Sequence, residues 1–299
     1  MNILITGGTG LVGKPLVAKL QSNGHIVRVL KRKKTDNPED FYWNQKENTI
    51  DDAAFENLDC IIHLAGASIS KRWTDEYKKE LFSSRIHTAN LLKEYCIKNK
   101  VNLKSFISAS GVNYYGTFTN DDIVEENSDV IKHDFLADLC VRWEEAAHQF
   151  SDIAERIVCL RTAMVLAKDG GAFPMLKKTV DFNIGSAVGK GNQWMNWIHL
   201  EDLVNMYVFA VENENINGNY NAVADEIPIN RTFMKNLAKT AGKIFLPVNV
   251  PAIFLKLAFG EMSAIILEGT RISNKKIKSQ GFDFKYHTVK DAFENLVDK

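Results

Sequence analysis

The chain has 299 residues, 45% hydrophobic and 25% charged, with 37 basic and 37 acidic side chains and a formal net charge of zero. That is ordinary globular composition, enough for one large or two modest domains, and it gives no global reason to expect a nucleic acid or a membrane as partner. Cys60, Cys96, Cys140 and Cys159 lie far apart in apolar segments with no Cys-x-x-Cys pair. They read as reduced core residues, and with no cationic leader or membrane-length apolar run the expectation is a cytoplasmic protein.

The first element carries the most information. The apolar run 3–6 leads into Gly7-Gly8-Thr9-Gly10-Leu11-Val12-Gly13 and then into a helical pattern over 12–22. This is a strand turning into a helix around a dinucleotide. Gly7 or Gly8 allows the tight turn, Gly10 lets backbone approach a pyrophosphate, and Gly13 lets helix and strand pack closely, with the helix N-terminus facing the negative charge. A second strand over 26–30 ends in Lys31-Arg32-Lys33-Lys34. An NAD-preferring site places Asp or Glu about twenty residues past the glycines. Here Arg32 stands nineteen residues after Gly13, and the first acid is Asp36. A guanidinium suits a 2′-phosphate and stacks on adenine, so NADP(H) is expected over NAD(H), while Lys33 and Lys34 can be a solvated loop.

Further strands are expected over 60–65, 105–108, 157–162 and 220–223, with helical patterns near 78–98, 134–150 and 201–212. The alternation predicts an α/β fold, a Rossmann-type doubly wound parallel sheet. The last seventy residues carry Pro228, Pro247 and Pro251, an apolar stretch over 252–267 and a charged tail. They read as a smaller, mainly helical lobe over 226–299, set against a nucleotide-binding domain over 1–225, with 170–195 lending residues to the substrate cleft.

In His63-Leu64-Ala65-Gly66-Ala67, small residues at a strand end let the chain pass beneath a nucleotide, and His63 reads as a packed core histidine. The glycine-rich loop 185–194, with Trp194 and Trp197, reads as a lid or wall of the cleft. Seven histidines show no paired spacing, so no metal site is expected.

Taken together, Thr6 to Gly13, His63 to Ala67 and Ser108-Ala109-Ser110-Gly111-Val112-Asn113-Tyr114-Tyr115-Gly116 resemble the extended short-chain dehydrogenase/reductases, which include the NAD(P)-dependent sugar epimerases and dehydratases. More specific segments follow: Phe135-Leu136-Ala137-Asp138-Leu139-Cys140 with Trp143-Glu144, Arg161-Thr162-Ala163-Met164-Val165-Leu166, and Trp197-Ile198-His199-Leu200-Glu201-Asp202-Leu203. The tail adds Val250-Pro251-Ala252, Gly260-Glu261-Met262, Leu267-Glu268-Gly269 and Gly281-Phe282-Asp283-Phe284. This set resembles the atypical "epimerase family" subgroup, the YfcH and SDR39U type, with its C-terminal domain of unknown function. The resemblance implies cofactor contacts at Thr6, Gly7, Gly10, Leu11, Val12 and Gly13 in the turn. It also implies contacts at Lys31 and Arg32, at Leu64, Ala65 and Gly66, at Glu80 and Arg85, and at Val165. A dimer is the default for such relatives.

Active enzymes of the wider family use a Tyr-x-x-x-Lys pair, the tyrosine as general acid/base and the lysine lowering its pKa. Here no tyrosine occurs between Tyr115 and Tyr207, and Lys132 is the only lysine between Thr117 and Ala167. Leu136 and Cys140 fall where the pair would stand, within an apolar stripe of Phe135, Leu136, Leu139, Cys140, Trp143 and Phe150 that reads as a structural helix. Ser110, Tyr114 or Tyr115, and His199 are the substitute candidates. The tyrosines read equally as core packing, and His199 as a cap of the helix that follows it. Two functions stand. One is an NADP(H)-binding oxidoreductase or epimerase-like protein acting on a small molecule with an atypical active site. The other is a non-catalytic NADPH sensor or regulator, for which cell division is the role some relatives' labels suggest.

Overall fold

The apolar runs line up as one eight-stranded sheet in the computed structural model, which describes residues 1–297. Its strands are β1 (Asn2–Thr6), β2 (Ile26–Lys31), β3 (Asp40–Asn44), β4 (Thr49–Ile50), β5 (Cys60–His63), β6 (Leu103–Gly111), β7 (Ala154–Thr162) and β8 (Gly218–Ala222). Their order across the sheet is β8-β7-β6-β5-β1-β2-β3-β4, parallel throughout except for the β3–β4 hairpin. Central strands are apolar on both faces because helices cover both.

Side chains alternate across each strand, and the two faces gather separate cores. Ile3, Ile5 and Val158 face α1 (Gly13–Ser22) and α6 (Leu200–Glu212) through Leu16, Leu20, Leu203 and Tyr207. Leu4, Ile61 and Phe106 face the other way, onto Leu91 and Leu92 of α3 (Thr88–Lys98) and Ala147 of α4 (Phe135–His148). Between β5 and α3 lies α2 (Asp75–Phe82), joined to α3 by a π-helical turn, Ser83–His87. The four cysteines are buried and unbonded.

A third core lies under the C-terminal lobe. It joins Trp197, Phe173 of α5 (Phe173–Asp181), Phe233 and Leu237 of α7 (Asn230–Thr240), and Phe293. The lobe also holds α8 (Ala252–Phe259) and α9 (Ser263–Leu267). It is not purely helical: Leu246–Val250 pairs with Ser186–Val188, and Arg271–Ile272 pairs with Ile123–Val124. Two local expectations differ from what is found. Trp197 is fully buried with its indole N–H on Glu226 O, a core residue rather than a lid. The β3–β4 hairpin was not expected; its strands of five and two residues are too short for a readable alternation.

The glycine turn is held by sterics. Gly7 adopts φ +72°, so it is Gly7 rather than Gly8 that makes the turn. A Cβ on Gly13 would stand 2.2 Å from Gly7 O. Gly13→Ala is therefore expected to strain the β1–α1 junction by about 1–3 kcal/mol, as overpacking does, lowering the urea midpoint. An unchanged midpoint would show that the junction can yield.

Candidate functional site

The carboxyl ends of β1, β2, β5 and β6 meet at one edge of the sheet, where this fold places ligands. There, Gly10 N–H closes onto Gly7 O at 2.9 Å, and α1 starts without any side chain capping its first turn. Lys14 N–H is taken by Gly10 O and Pro15 has none, so the N–H groups of Leu11, Val12 and Gly13 are the ones left for an anion. A Cβ on Gly10 would meet only Gly7 O, at 3.2 Å, so the space before the turn is open to a close approach.

The chain after β5 packs directly on this turn. Thr6 Oγ1 accepts the N–H groups of Leu64 and Ala65, both at 3.1 Å, and a Cβ on Gly7 would touch Leu64 carbonyl carbon at 3.0 Å. Gly66 then lies against Arg85, where a Cβ would come 2.8 Å from the guanidinium carbon. Arg85 is 7% exposed, donates to Leu81 O and Ala67 O, and stacks 4.8 Å from the Trp143 ring. It stands in the π-turn, an irregularity that often marks functional sites. Burial pulls its pKa down from the ordinary arginine value.

Three buried polar atoms gather around Arg85 without a partner among the described residues: Arg85 Nε, Trp143 Nε1 and His63 Nδ1. Thr88 Oγ1 gives its proton to backbone carbonyls, so His63 Nε2, 2.9 Å away, donates to it and Nδ1 is left as an orphaned acceptor. Each such orphan costs about 1–3 kcal/mol, and the three of them lie close together behind Gly66, next to the glycine turn. With the open glycine turn, this cluster fits a dinucleotide.

At the end of β2 the two basic residues differ. Lys31 Nζ is bound by Asp40 of β3. Arg32 is exposed and makes no ion pair or hydrogen bond among the described residues. Glu80 is exposed on α2, and Val165 lies in the strand Met164–Ala167, paired with Trp197–His199. A groove of about 660 Å³ starts at the glycine turn, at Thr9, Gly10 and Leu11, and runs along the flank of α1 past Lys14 toward His199 and Asn205 of α6. It does not reach Leu64, Ala65 or Arg85.

The place of the usual acid–base pair is apolar. Leu136 and Cys140 are buried on α4, whose N-terminus is capped by Asp134. Burial pushes the Cys140 thiol up to about 12. Gly111 at the end of β6 faces that thiol, since a Cβ there would lie 3.2 Å from Cys140 Sγ. Lys132 donates to Thr117 O.

The candidate polar groups are tied into the protein. Ser110 Oγ donates to Glu144 Oε1 at 2.7 Å. Glu144 grips Arg161 through both oxygens, at 2.8 Å each. Arg161 also donates to Tyr115 Oη at 2.8 Å, and Tyr115 donates to Asn221 Oδ1. Burial opposes the charge on Arg161, yet Glu144 outweighs it and holds the guanidinium protonated. Burial pushes the Tyr115 phenol up to about 12. Tyr114 differs: it is half-buried, its ring lies 3.4 Å from the Arg161 guanidinium carbon, and its hydroxyl has no partner among the described residues.

His199 caps α6. Nδ1 accepts the N–H of Glu201, Nε2 lies 3.2 Å from Asn295 Oδ1, and the ring stacks on Tyr286 at 3.7 Å. Asp202, in the first turn of α6, accepts the N–H groups of Lys285 and Tyr286, fastening the tail to α6. The Glu144–Arg161 pair escaped the sequence reading. A signal existed: one acid inside the apolar stripe of α4 and one arginine inside a buried strand demand each other.

Fold, turn and edge geometry define a Rossmann-like fold of the short-chain dehydrogenase/reductase type. The pattern of the NAD dependent epimerase/dehydratase family matches residues 3–134, and that of a domain of unknown function, DUF1731, matches 250–296. An epimerase family protein of Staphylococcus saprophyticus is 36% identical over 98% of both chains, and one of Staphylococcus aureus is 34% identical over 99% of both. Among solved structures, human epimerase family protein SDR39U1 with NADPH matches with a TM-score of 0.89 at 27% identity over 99% of each chain. A nucleoside-diphosphate sugar epimerase of Corynebacterium glutamicum matches with a TM-score of 0.81 at 29% identity, over 99% of this chain and 58% of that one. This chain belongs to the NAD-dependent epimerase/dehydratase family, in the group that carries the DUF1731 domain.

Two outcomes follow from the buried groups. Glu144→Ala leaves a buried arginine unpaired and is expected to cost about 3–5 kcal/mol, whereas Glu144→Leu with Arg161→Met should restore most of the loss in urea titrations. Burial lowers His63 to about 3 and His199 to about 4. Between those values and the ordinary 6.5 the unfolded chain takes up protons that the native state refuses. Stability present above pH 6.5 should fall as pH drops, by up to about 1.4 kcal/mol per pH unit and histidine. His199→Asn should flatten the slope; an unaltered slope would assign it elsewhere.

Proposed function

We propose that this chain binds NADP(H) across the carboxyl edge of its sheet and acts as an oxidoreductase- or epimerase-like protein with an atypical active site. The observation that carries the cofactor choice is Arg32, exposed at the end of β2 without an acidic partner, where an NAD site would carry a carboxylate. The glycine turn would hold the pyrophosphate, Leu64 and Ala65 the flank of the nucleotide, and Arg85 a polar group that completes its orphaned Nε. The cofactor, when bound, supplies or accepts hydride at its nicotinamide ring.

The protein's own contribution is positional. The apolar wall of Leu136, Cys140 and Gly111 excludes water, and Tyr114 offers the one uncommitted phenol of the Tyr114–Tyr115 pair. Ser110, Tyr115 and His199, whose hydrogen bonds end within the protein, hold this frame. A second reading has its own support: Leu136 and Cys140 supply no proton, which favours a sensor that binds NADPH without turnover.

Arg32→Asp should weaken NADPH binding about 10–100-fold, the worth of one or two charge-assisted hydrogen bonds, with little effect on NADH. Equal effects, measured by fluorescence titration, would remove Arg32 from the site. A metabolite screen following NADPH absorbance, with Gly10→Val as the dead control, separates enzyme from sensor. Tyr114→Phe should cut a detected turnover by about 10²–10⁴-fold, and Tyr115→Phe should chiefly lower stability. Turnover untouched by Tyr114→Phe would reject the phenol. Tight NADPH binding with no turnover across the screen would favour the sensor.

A further inference from the structure

The chain's neutrality hides a strong local imbalance. Segment 173–191 contains Lys177, Lys178 and Lys190 against a single acid, Asp181, which pairs with Lys177. Segment 229–258 contains Arg231, Lys235, Lys239, Lys243 and Lys256 and no acid. The two segments are one piece of surface. Leu246–Val250 pairs with Ser186–Val188, Leu246 N–H donates to Gly185 O, and Ile244 N–H donates to Asn183 Oδ1. All of these basic residues except Lys177 are exposed.

The same surface is apolar. Phe182, Ile184, Ile244, Leu246 and Val248 are exposed along it, Val248 at 76%. Pro251 leads directly into α8, whose sequence Ala-Ile-Phe-Leu-Lys-Leu-Ala-Phe is apolar at every position but Lys256. None of its residues is buried, and Ile253, Phe254 and Leu257 are each more than half exposed. Summed over these eight residues the exposed surface is on the order of 900 Å², a large apolar area for one region of a monomer.

An unburied apolar helix that carries Lys256, continues from a strand flanked by exposed lysines and meets its nearest following acid, Glu261, in an ion pair with Lys78 has the make-up of an interfacial membrane element. A second copy is a poorer occupant, because the twofold contact would press two strongly basic faces together. We infer that the face formed by α5, the Leu246–Val250 strand and α8 docks on a bilayer that carries anionic lipid. Ile253, Phe254 and Leu257 enter the acyl boundary, while Lys239, Lys243 and Lys256 meet the headgroups. Among the described residues no helix is long and apolar enough to cross a membrane, so the contact is peripheral. The proposal runs against the expectation drawn from net charge alone, and it is independent of the cofactor reading.

The test is flotation of the full chain with phosphatidylcholine vesicles, with or without about 30% phosphatidylserine. At about 0.1 M salt, where charges are felt over about 10 Å, the chain should float with the anionic vesicles at least tenfold more than with neutral ones, and lose that preference near 1 M. Lys239→Ala with Lys243→Ala should lower partitioning about 25-fold, fivefold per charge. Phe254→Glu with Leu257→Glu should abolish it, and both variants should keep the parent's urea midpoint. No flotation with anionic vesicles, or equal flotation with neutral ones, overturns the proposal. So does a concentration-dependent dimer in sedimentation equilibrium that Phe254→Glu dissolves while vesicle binding is absent. If either variant unfolds, the lipid and salt arms on the parent chain still decide.

Discussion

Arg161 lies inside β7 with 1% of its surface exposed, and a charge so placed must be answered. Glu144 answers it through both carboxylate oxygens, and the rest of the sheet's carboxyl edge is arranged around that pair. Ser110 hangs from the same carboxylate, Tyr115 from the same guanidinium, and Asn221 of β8 from Tyr115. Three neighbouring strands and α4 are thereby fixed in register by side chains as well as by their ladder. The pair's worth lies in geometry more than in net stability, because two ions must first be stripped of water.

That arrangement explains why the edge looks catalytic in sequence and behaves structurally in space. A serine near the end of β6, two tyrosines and a helix come in the familiar order, yet the serine proton points into the pair and the helix offers a leucine and a thiol. What remains uncommitted among the described residues is the Tyr114 hydroxyl, the glycine turn and the orphaned atoms around Arg85. The polar inventory of the site is therefore weighted toward holding a nucleotide rather than toward moving protons.

Much of this was legible in the sequence because it is local. The turn at Gly7–Gly13, the parallel strands with their unbroken apolar runs, and the basic end of β2 each declare themselves within a dozen residues. The absence of tyrosine and lysine from α4 was equally readable. What escaped depends on distant partners. Asp40 reaches Lys31 only because a short, aromatic β3 pairs with β2. The 3.6-residue pattern runs through 75–98 without betraying the π-turn. Trp194 and Trp197 look alike in sequence, and only the core beneath Trp197 separates them. The basic apolar face escaped for another reason: acids elsewhere cancel it in the sum.

The π-turn at Ser83–His87 has a consequence for how this site could change over time. An extra residue in one turn rotates everything after it by about 100° relative to a regular helix, at the expense of regular backbone hydrogen bonds. Arg85 faces Gly66 and Trp143 only because of that rotation, and α3 then presents Leu91 and Leu92 to the sheet in a register set by the same insertion. Site and core are thus geared together. A single-residue deletion that regularised the helix could not remove Arg85 from its place without also turning the apolar face of α3 away from β5 and β6.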